Sequence, residues 1–370
     1  MIAERMKKID SSGIRKVFDL AAKMEDPINL SIGQPDFDIP EEIKQEAIKA
    51  ISSGMNRYTQ TGGIPELRAK LKEKLEKEKK RKFDDIMITS GVSGGLFLAF
   101  LTLINPGDEV IVPDPYFVMY KHLVNLLGGV PKYLSTYPDF SLDPKKLEAL
   151  ITPKTKIMLL NSPNNPTGKV YTRKELTDFL AVAKKHNIIV ISDEIYDLFT
   201  YGEEFVSVAE LYENTLLLGG FSKTYAMTGW RIGYAAGNQT IINEMIKLQQ
   251  YTFVCAPSFA QAATLKALDY DMSSFVSAYK VKRDMIYNGL KENFYVVKPE
   301  GAFYIFPQLP KGENTELFVN KALENKVLII PGNVFSESNT GFRISFAADN
   351  KTIEKGIEVL NKLALESFKK

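Results

Sequence analysis

At 370 residues the chain exceeds the length at which a single hydrophobic core usually stops growing, which predicts two domains. Its 47 basic and 45 acidic residues leave a formal net charge of +2 with the basic residues dispersed, so the balance gives no reason to invoke nucleic acid or an anionic membrane as partner. A hydrophobic fraction of 45% is that of an ordinary globular protein, while the single cysteine, Cys255, excludes an internal disulfide and, with only His122 and His186 beside it, a zinc site. The expectation is a chain with no metal, in a reducing cytoplasm. No run approaches the ~18 apolar residues of a membrane span, and no apolar segment follows the charged residues 1–8.

Residues 1–23 read as an arm with a short helix, ending at Asp26-Pro27. The stretch 28–37 is extended and turns at Gly33 and Pro35; a glycine there serves either the turn alone or the close approach of backbone to a ligand. Helical spacing over 40–53 leads to Arg57-Tyr58-Thr59-Gln60-Thr61-Gly62-Gly63, a polar loop with an exposed tyrosine, before a helix opened by Pro65. Such loops carry function more often than packing. Between Lys70 and Lys82, glutamates and lysines interleave at helical spacing, which predicts a solvated helix face.

From residue 86 strand and helix alternate. Residues 86–89 predict a strand, Ser90-Gly91-Val92-Ser93-Gly94-Gly95 a glycine-rich turn, and 96–104 an apolar helix. That order offers free N–H groups and the positive end of a helix dipole to a phosphate; it serves equally for close helix–strand packing. A turn at 105–108 feeds a strand over 109–112, and Pro113-Asp114-Pro115-Tyr116-Phe117 precedes a helix to Leu127. Phe117 is either core or a flat surface for an aromatic ring. Residues 156–161 predict the next strand, ending in Ser162-Pro163-Asn164-Asn165-Pro166-Thr167-Gly168, a rigid turn open to a cis bond.

A helix over 173–187 leads into the β-branched run 188–192, a buried parallel type of strand closed by Asp193 and Glu194. A carboxylate there is either an exposed loop charge or a buried group with a partner, and Tyr196 can face the same way. After a strand over 215–219 comes Ser222-Lys223, with Arg231 eight residues further on. Desolvation lowers a lysine pKa, so an amine in a cleft stays neutral and attacks carbonyls. With an arginine as anion partner, the matching carbonyl compound is a phosphorylated aldehyde, and pyridoxal 5'-phosphate fits that description.

Beyond it lie a strand over 233–236, helices over 239–250 and 258–268, and a long helix over 273–292 that bridges into a second domain. Strands over 303–306, 327–330 and 342–346 and helices over 316–324 and 351–368 complete an α+β part. Arg343 alternates with Phe342 and Ile344, so it points away from both, as an edge charge or an anion receptor.

Gly91, Val92 and Ser93, then Phe117, Asn165, Asp193 with Tyr196, and Lys223 follow the carboxyl ends of five different predicted strands. In an open, mostly parallel sheet those ends line one crevice. Pyridoxal phosphate needs such groups: a lysine for a Schiff base, a carboxylate at the pyridinium nitrogen, and hydrogen bonds that tune the ring. The predicted fold class is α/β. A large domain over 41–272 holds a mostly parallel sheet flanked by helices, and a smaller α+β domain combines the arm, 1–40, with the part over 273–370.

Four stretches carry a resemblance. The run from Ser222 to Tyr234, the loop Asn165-Pro166-Thr167-Gly168, Asp193-Glu194-Ile195-Tyr196, and Phe342-Arg343-Ile344-Ser345 together resemble class I aminotransferases of the aspartate aminotransferase family, fold type I of the pyridoxal-phosphate enzymes. The motifs occur in the family's order over almost the whole chain. The resemblance implies that Lys223 bonds the cofactor and that Asp193 keeps its ring nitrogen protonated. Asn165 and Tyr196 would bond its phenolic oxygen, and Phe117 would stack on its ring. Backbone at Gly91, Val92 and Ser93, with Arg231, would hold the phosphate. Arg343 would clamp the substrate α-carboxylate near Gly33 and Asn165, and Tyr58 would reach the phosphate of a second subunit in a homodimer. Many relatives carry a hydroxyl residue three positions before the lysine; here Gly220 stands there, and Ser222 is the candidate substitute. The expected reaction moves an amino group between an L-amino acid and a 2-oxo acid, with aspartate, aromatic or alanine-type substrates. β-Elimination on the same apparatus and a non-enzymatic cofactor-sensing module are the alternatives.

Overall fold

The computed structural model describes residues 1–202 and 204–368. Its strands are β1 (Ile28–Asn29), β2 (Asp85–Thr89), β3 (Glu109–Asp114), β4 (Val130–Ser135), β5 (Thr155–Asn161), β6 (Ile189–Asp193), β7 (Thr215–Gly220), β8 (Gly233–Gly237), β9 (Tyr304–Ile305), β10 (Val327–Leu328), β11 (Ile330–Pro331) and β12 (Phe342–Ser345). Seven of them build one sheet in the order β2-β8-β7-β6-β5-β3-β4, and within it only β8 runs against the rest.

The central strands read as unbroken apolar runs because helices cover both faces of the sheet. Side chains alternate along β5: Ile157 and Leu159 join Leu96, Phe100 and Met245 on one face, while Met158 and Leu160 join Leu176 and Phe179 on the other. Helix Gly91–Leu103 is apolar nearly all round and is sandwiched accordingly. Helix Pro65–Glu78 buries only Leu67, Leu71 and Leu75, a one-sided stripe spaced by four residues.

The remaining strands gather the two ends of the chain. β1 pairs in parallel with β10, Ser345 N–H donates to the Leu30 carbonyl, and β11, β12 and β9 form a three-stranded antiparallel sheet. Phe199, Tyr279, Phe303, Phe342 and Phe346 lie in the core beneath them. No helix among the described residues is long and apolar enough to cross a membrane.

Several local expectations change. The helix predicted from residue 96 begins at Gly91, because Gly94 and Gly95 belong to its first turns: a Cβ on Gly95 would come within 3.3 Å of Leu218 on β7. The strand predicted over 327–330 is divided, one half pairing with β1 and the other with β12. Edge strand β4 and the seven-residue helix Pro144–Leu150 were not anticipated, since neither carries a sustained apolar period.

The solvated face predicted over 70–82 holds for most of its lysines and fails at Lys79. That side chain is 3% exposed, with its ammonium 2.8 Å from Asp197 and 3.3 Å from Glu194. Burial works against its charge, and the two carboxylates outweigh that and hold its pKa up. Glu194 also accepts from Ser192, Ser207 and the Val208 N–H, which ties the turn after β6 to its surroundings. Lys79→Met should lower unfolding stability in a denaturant titration by about 2–4 kcal/mol, because it leaves the buried Glu194 and the part-buried Asp197 without their cation.

Candidate active site

A cavity of about 380 Å³ opens at the carboxyl ends of β2, β3, β5, β6 and β7. Each strand delivers its group within a few residues of its last one. Val92 and Ser93 follow β2, Phe117 follows β3, Asn165 follows β5, Asp193 ends β6 with Tyr196 beyond it, and Ser222 and Lys223 follow β7. Gly33, Tyr304 and Arg343 close the cavity from the other part of the chain.

Lys223 is half-buried, and its Nζ donates to the Gly33 carbonyl at 2.6 Å. Burial, then the cations Arg343 and Arg231, push its pKa down to about 8; Asp193 opposes them. The amine is therefore neutral in about a tenth of molecules at pH 7 and about half at pH 8, and the neutral form has a lone pair to give a carbonyl carbon.

Asp193 is 4% exposed. Its Oδ2 accepts from the Tyr120 hydroxyl at 2.8 Å and its Oδ1 from the Ile195 N–H at 3.2 Å, both neutral donors. Burial pushes its pKa up to about 6 against those two bonds. Among the described residues no cation contacts this carboxylate, and a protonated ring nitrogen would supply one.

Arg343 is 1% exposed, with its guanidinium between the rings of Tyr304 and Phe335, 4.6 and 4.7 Å from their centroids. Nη1 donates to Asn165 Oδ1 at 3.1 Å and Nη2 to the Ser31 carbonyl at 2.7 Å. Its buried Nε has no partner among the described residues, which fits a fork with capacity for a carboxylate.

At the other end of the cavity Arg231 is exposed, has a φ of 53° and donates to the Thr228 carbonyl. A Cβ on Gly91 would lie 2.5 Å from Arg231 Nη2, and Gly91 itself has a φ of 68°, so only glycine suits that position. The guanidinium is thereby pressed against the amino terminus of helix Gly91–Leu103, where the Val92 and Ser93 side chains line the cavity. That corner combines a cation with unpaired helix N–H groups, the chemistry of a phosphate site. Lysine, buried carboxylate, flat phenyl ring at Phe117 and anion corner together fit pyridoxal phosphate.

Tyr58 is not brought to this cavity and is 85% exposed. Ser222 lines it; Gly220 faces Gly233, Ile195 and Val92 instead. The Ser162-Pro163 bond is cis, as the proline-rich turn allowed.

The sequence alone did not single out Tyr120, Asn161 or Tyr304. Tyr120 lies three residues after Phe117, across the turn that opens helix Met119–Leu126, and their rings meet edge to face at 5.7 Å. Asn161 ends β5, donates to the Asp193 carbonyl and accepts from Asn165 N–H, so it staples two neighbouring strand ends. For Tyr304 no local signal exists.

A family profile described as aminotransferase class I and II matches residues 25–360. The chain is 42% identical to a probable aspartate aminotransferase of Methanocaldococcus jannaschii, over 98% of this chain and all of that one. It is 37% identical to aromatic-amino-acid aminotransferase 2 of Thermococcus litoralis, over 99% and 98%. The solved structure of aspartate aminotransferase from Thermus thermophilus with maleate superposes with a TM-score of 0.93 at 34% identity, covering 98% of this chain and 99% of that one.

Proposed function

Because this chain belongs to the class I and II aminotransferases, we propose that its cavity transfers an amino group from an L-amino acid to a 2-oxo acid with pyridoxal 5'-phosphate as cofactor. The observation that carries the reading is Lys223: one amine with a depressed pKa, in a cleft that also holds Asp193 and Arg343. When bound, the cofactor supplies a carbonyl that captures amines and a ring that draws electrons from the adjoining carbon. Lys223 would hold it covalently, and its released Nζ moves the proton of substrate Cα. Asp193 would keep the ring nitrogen protonated, with Tyr120 and the Ile195 N–H fixing the carboxylate. Asn165 and Tyr196 would hold the phenolic oxygen, and Phe117 would offer its flat face to the ring. Arg231, Ser222 and the N–H groups at Gly91, Val92 and Ser93 would hold the phosphate. Arg343, positioned beside Asn165 and near Gly33, takes the substrate α-carboxylate. On this reading residues 41–272 bind the cofactor, while 1–40 and 273–370 bring the substrate clamp.

A homodimer is part of the proposal. The loop with Tyr58 is fastened to the distant segment 249–261 by Gln249 on the Thr61 carbonyl, Gln261 on Thr59 and Ser258 on the Met55 carbonyl. Along that seam Tyr58 and Tyr251 are 85% and 83% exposed and Phe253 and Val254 are also uncovered, a patch that a second subunit would bury. A single, half-buried cysteine supports a cytoplasmic setting. Relatives named for aspartate and for aromatic amino acids support those donors. Arg15, at the cavity mouth and 3.2 Å from Asp19, is a further lining cation that suits acidic side chains.

The test is an amino-donor panel with 2-oxoglutarate, followed by product analysis and the cofactor's spectrum. Oxo-acid formation matched by amination of the acceptor supports the reading; elimination products without amino transfer would remove it. The pH dependence is also set. With Lys223 near 8, the neutral fraction is about 10% at pH 7, half at pH 8 and about 90% at pH 9. Cofactor uptake by the apoprotein should therefore accelerate about fivefold from pH 7 to 8 and less than twofold above that.

A further inference from the structure

The hydroxyls of Tyr196 and Tyr304 lie 2.8 Å apart, both in the buried wall of the cavity. Tyr304 arrives from β9, paired with Ser345 of β12, and a Cβ on Gly33 would sit 2.6 Å from its oxygen. The glycine leaves room for that hydroxyl, and its carbonyl is the acceptor for Lys223. Two hydroxyls share one hydrogen bond, so one of their protons is engaged between them and the other is available. Among the described residues neither oxygen has a second partner. The charged and titratable groups around the pair are the Arg343 guanidinium on the Tyr304 ring, Asp193 at the end of β6 and Lys223 after β7.

We propose that Tyr304 is a positioning residue with two separable effects: its hydroxyl donates to Tyr196, turning the Tyr196 proton towards the cofactor's phenolic oxygen, and its ring seats Arg343 for the substrate carboxylate. The inference rests on the function proposed above. The donated bond polarises the Tyr196 O–H and strengthens what it gives onward. Removing the Tyr304 hydroxyl alone weakens that onward bond and leaves the face under Arg343 in place. Removing the ring loses both.

The experiment uses cofactor-loaded protein. Its visible absorbance against pH gives the midpoint at which the nitrogen of Lys223, bonded to the cofactor, loses its proton. A weaker bond to the phenolic oxygen keeps that proton on to higher pH. Tyr304→Phe should raise the midpoint by about half a unit, a threefold change in the equilibrium, with KM for the amino acid within about twofold. Tyr304→Leu should in addition raise KM about tenfold. In a Tyr196→Phe background, Tyr304→Phe should leave the midpoint where it is, because the route through Tyr196 is already cut. An unmoved midpoint in Tyr304→Phe, or an equal shift with and without Tyr196, overturns the proposal. A wild-type protein that takes up no cofactor would overturn the function first and this inference with it; uptake with an unchanged Tyr304→Phe titration overturns this inference alone.

Discussion

Lys223→Met is expected to lose at least about four orders of magnitude in steady turnover, because on the proposed function it removes both the amine that bonds the cofactor and the base at substrate Cα. Methionine keeps most of the stem's volume, so the loss is chemical and not a packing defect. The same variant should gain stability as apoprotein. In the folded chain the Lys223 pKa is about 8 against 10.5 for an unperturbed lysine. Below pH 8 both folded and unfolded chains carry the proton, and the folded chain bears the full cost of a charged amine in the cleft. Between pH 8 and 10.5 the unfolded chain binds more protons, so wild-type stability rises with pH and the cost disappears. The variant should accordingly exceed wild type by about 1–3 kcal/mol at pH 7 in urea titrations, with the gap closing towards pH 10.5. Turnover retained by Lys223→Met would remove the assignment.

The second large effect is at Arg343. Arg343→Lys preserves a positive charge and loses the planar fork whose other nitrogens are engaged by Asn165 and the Ser31 carbonyl. On the proposed function two charge-assisted bonds to the substrate carboxylate are worth about 3–5 kcal/mol together, so kcat/KM should fall by about two to four orders of magnitude, chiefly through KM. An amine without an α-carboxylate supplies the control: the variant should handle it as well as wild type does. An equal loss for both would mean that Arg343 supports the fold of the cavity and does not bind substrate.

Much of this was legible in the residues. The strands at 86–89, 156–161, 188–192 and 215–219 are apolar runs punctuated by Gly, Pro, Asn and Asp, and in the structure they lie within one or two residues of those limits. Parallel strands with helical crossovers have their carboxyl ends on one side, so once the runs are placed, Phe117, Asn165, Asp193 and Lys223 are assigned to one crevice without any knowledge of contacts. Lys79 shows the limit of that reasoning. It is one lysine among many in a helix of alternating charge, and it is turned inward because Glu194 and Asp197, more than a hundred positions later, lie beneath its helix end.

Local periodicity and chemical type were enough to identify which segments reach the crevice and which amine lines it. Folding in three dimensions chose the partners: Tyr120 for Asp193, Tyr304 for Tyr196 at a separation of 108 residues, and Arg343 for Asn165 at 178. A repeating pattern reports the face on which a side chain lies, whereas the atom it meets depends on how distant layers stack, and that information is in no single window of the chain.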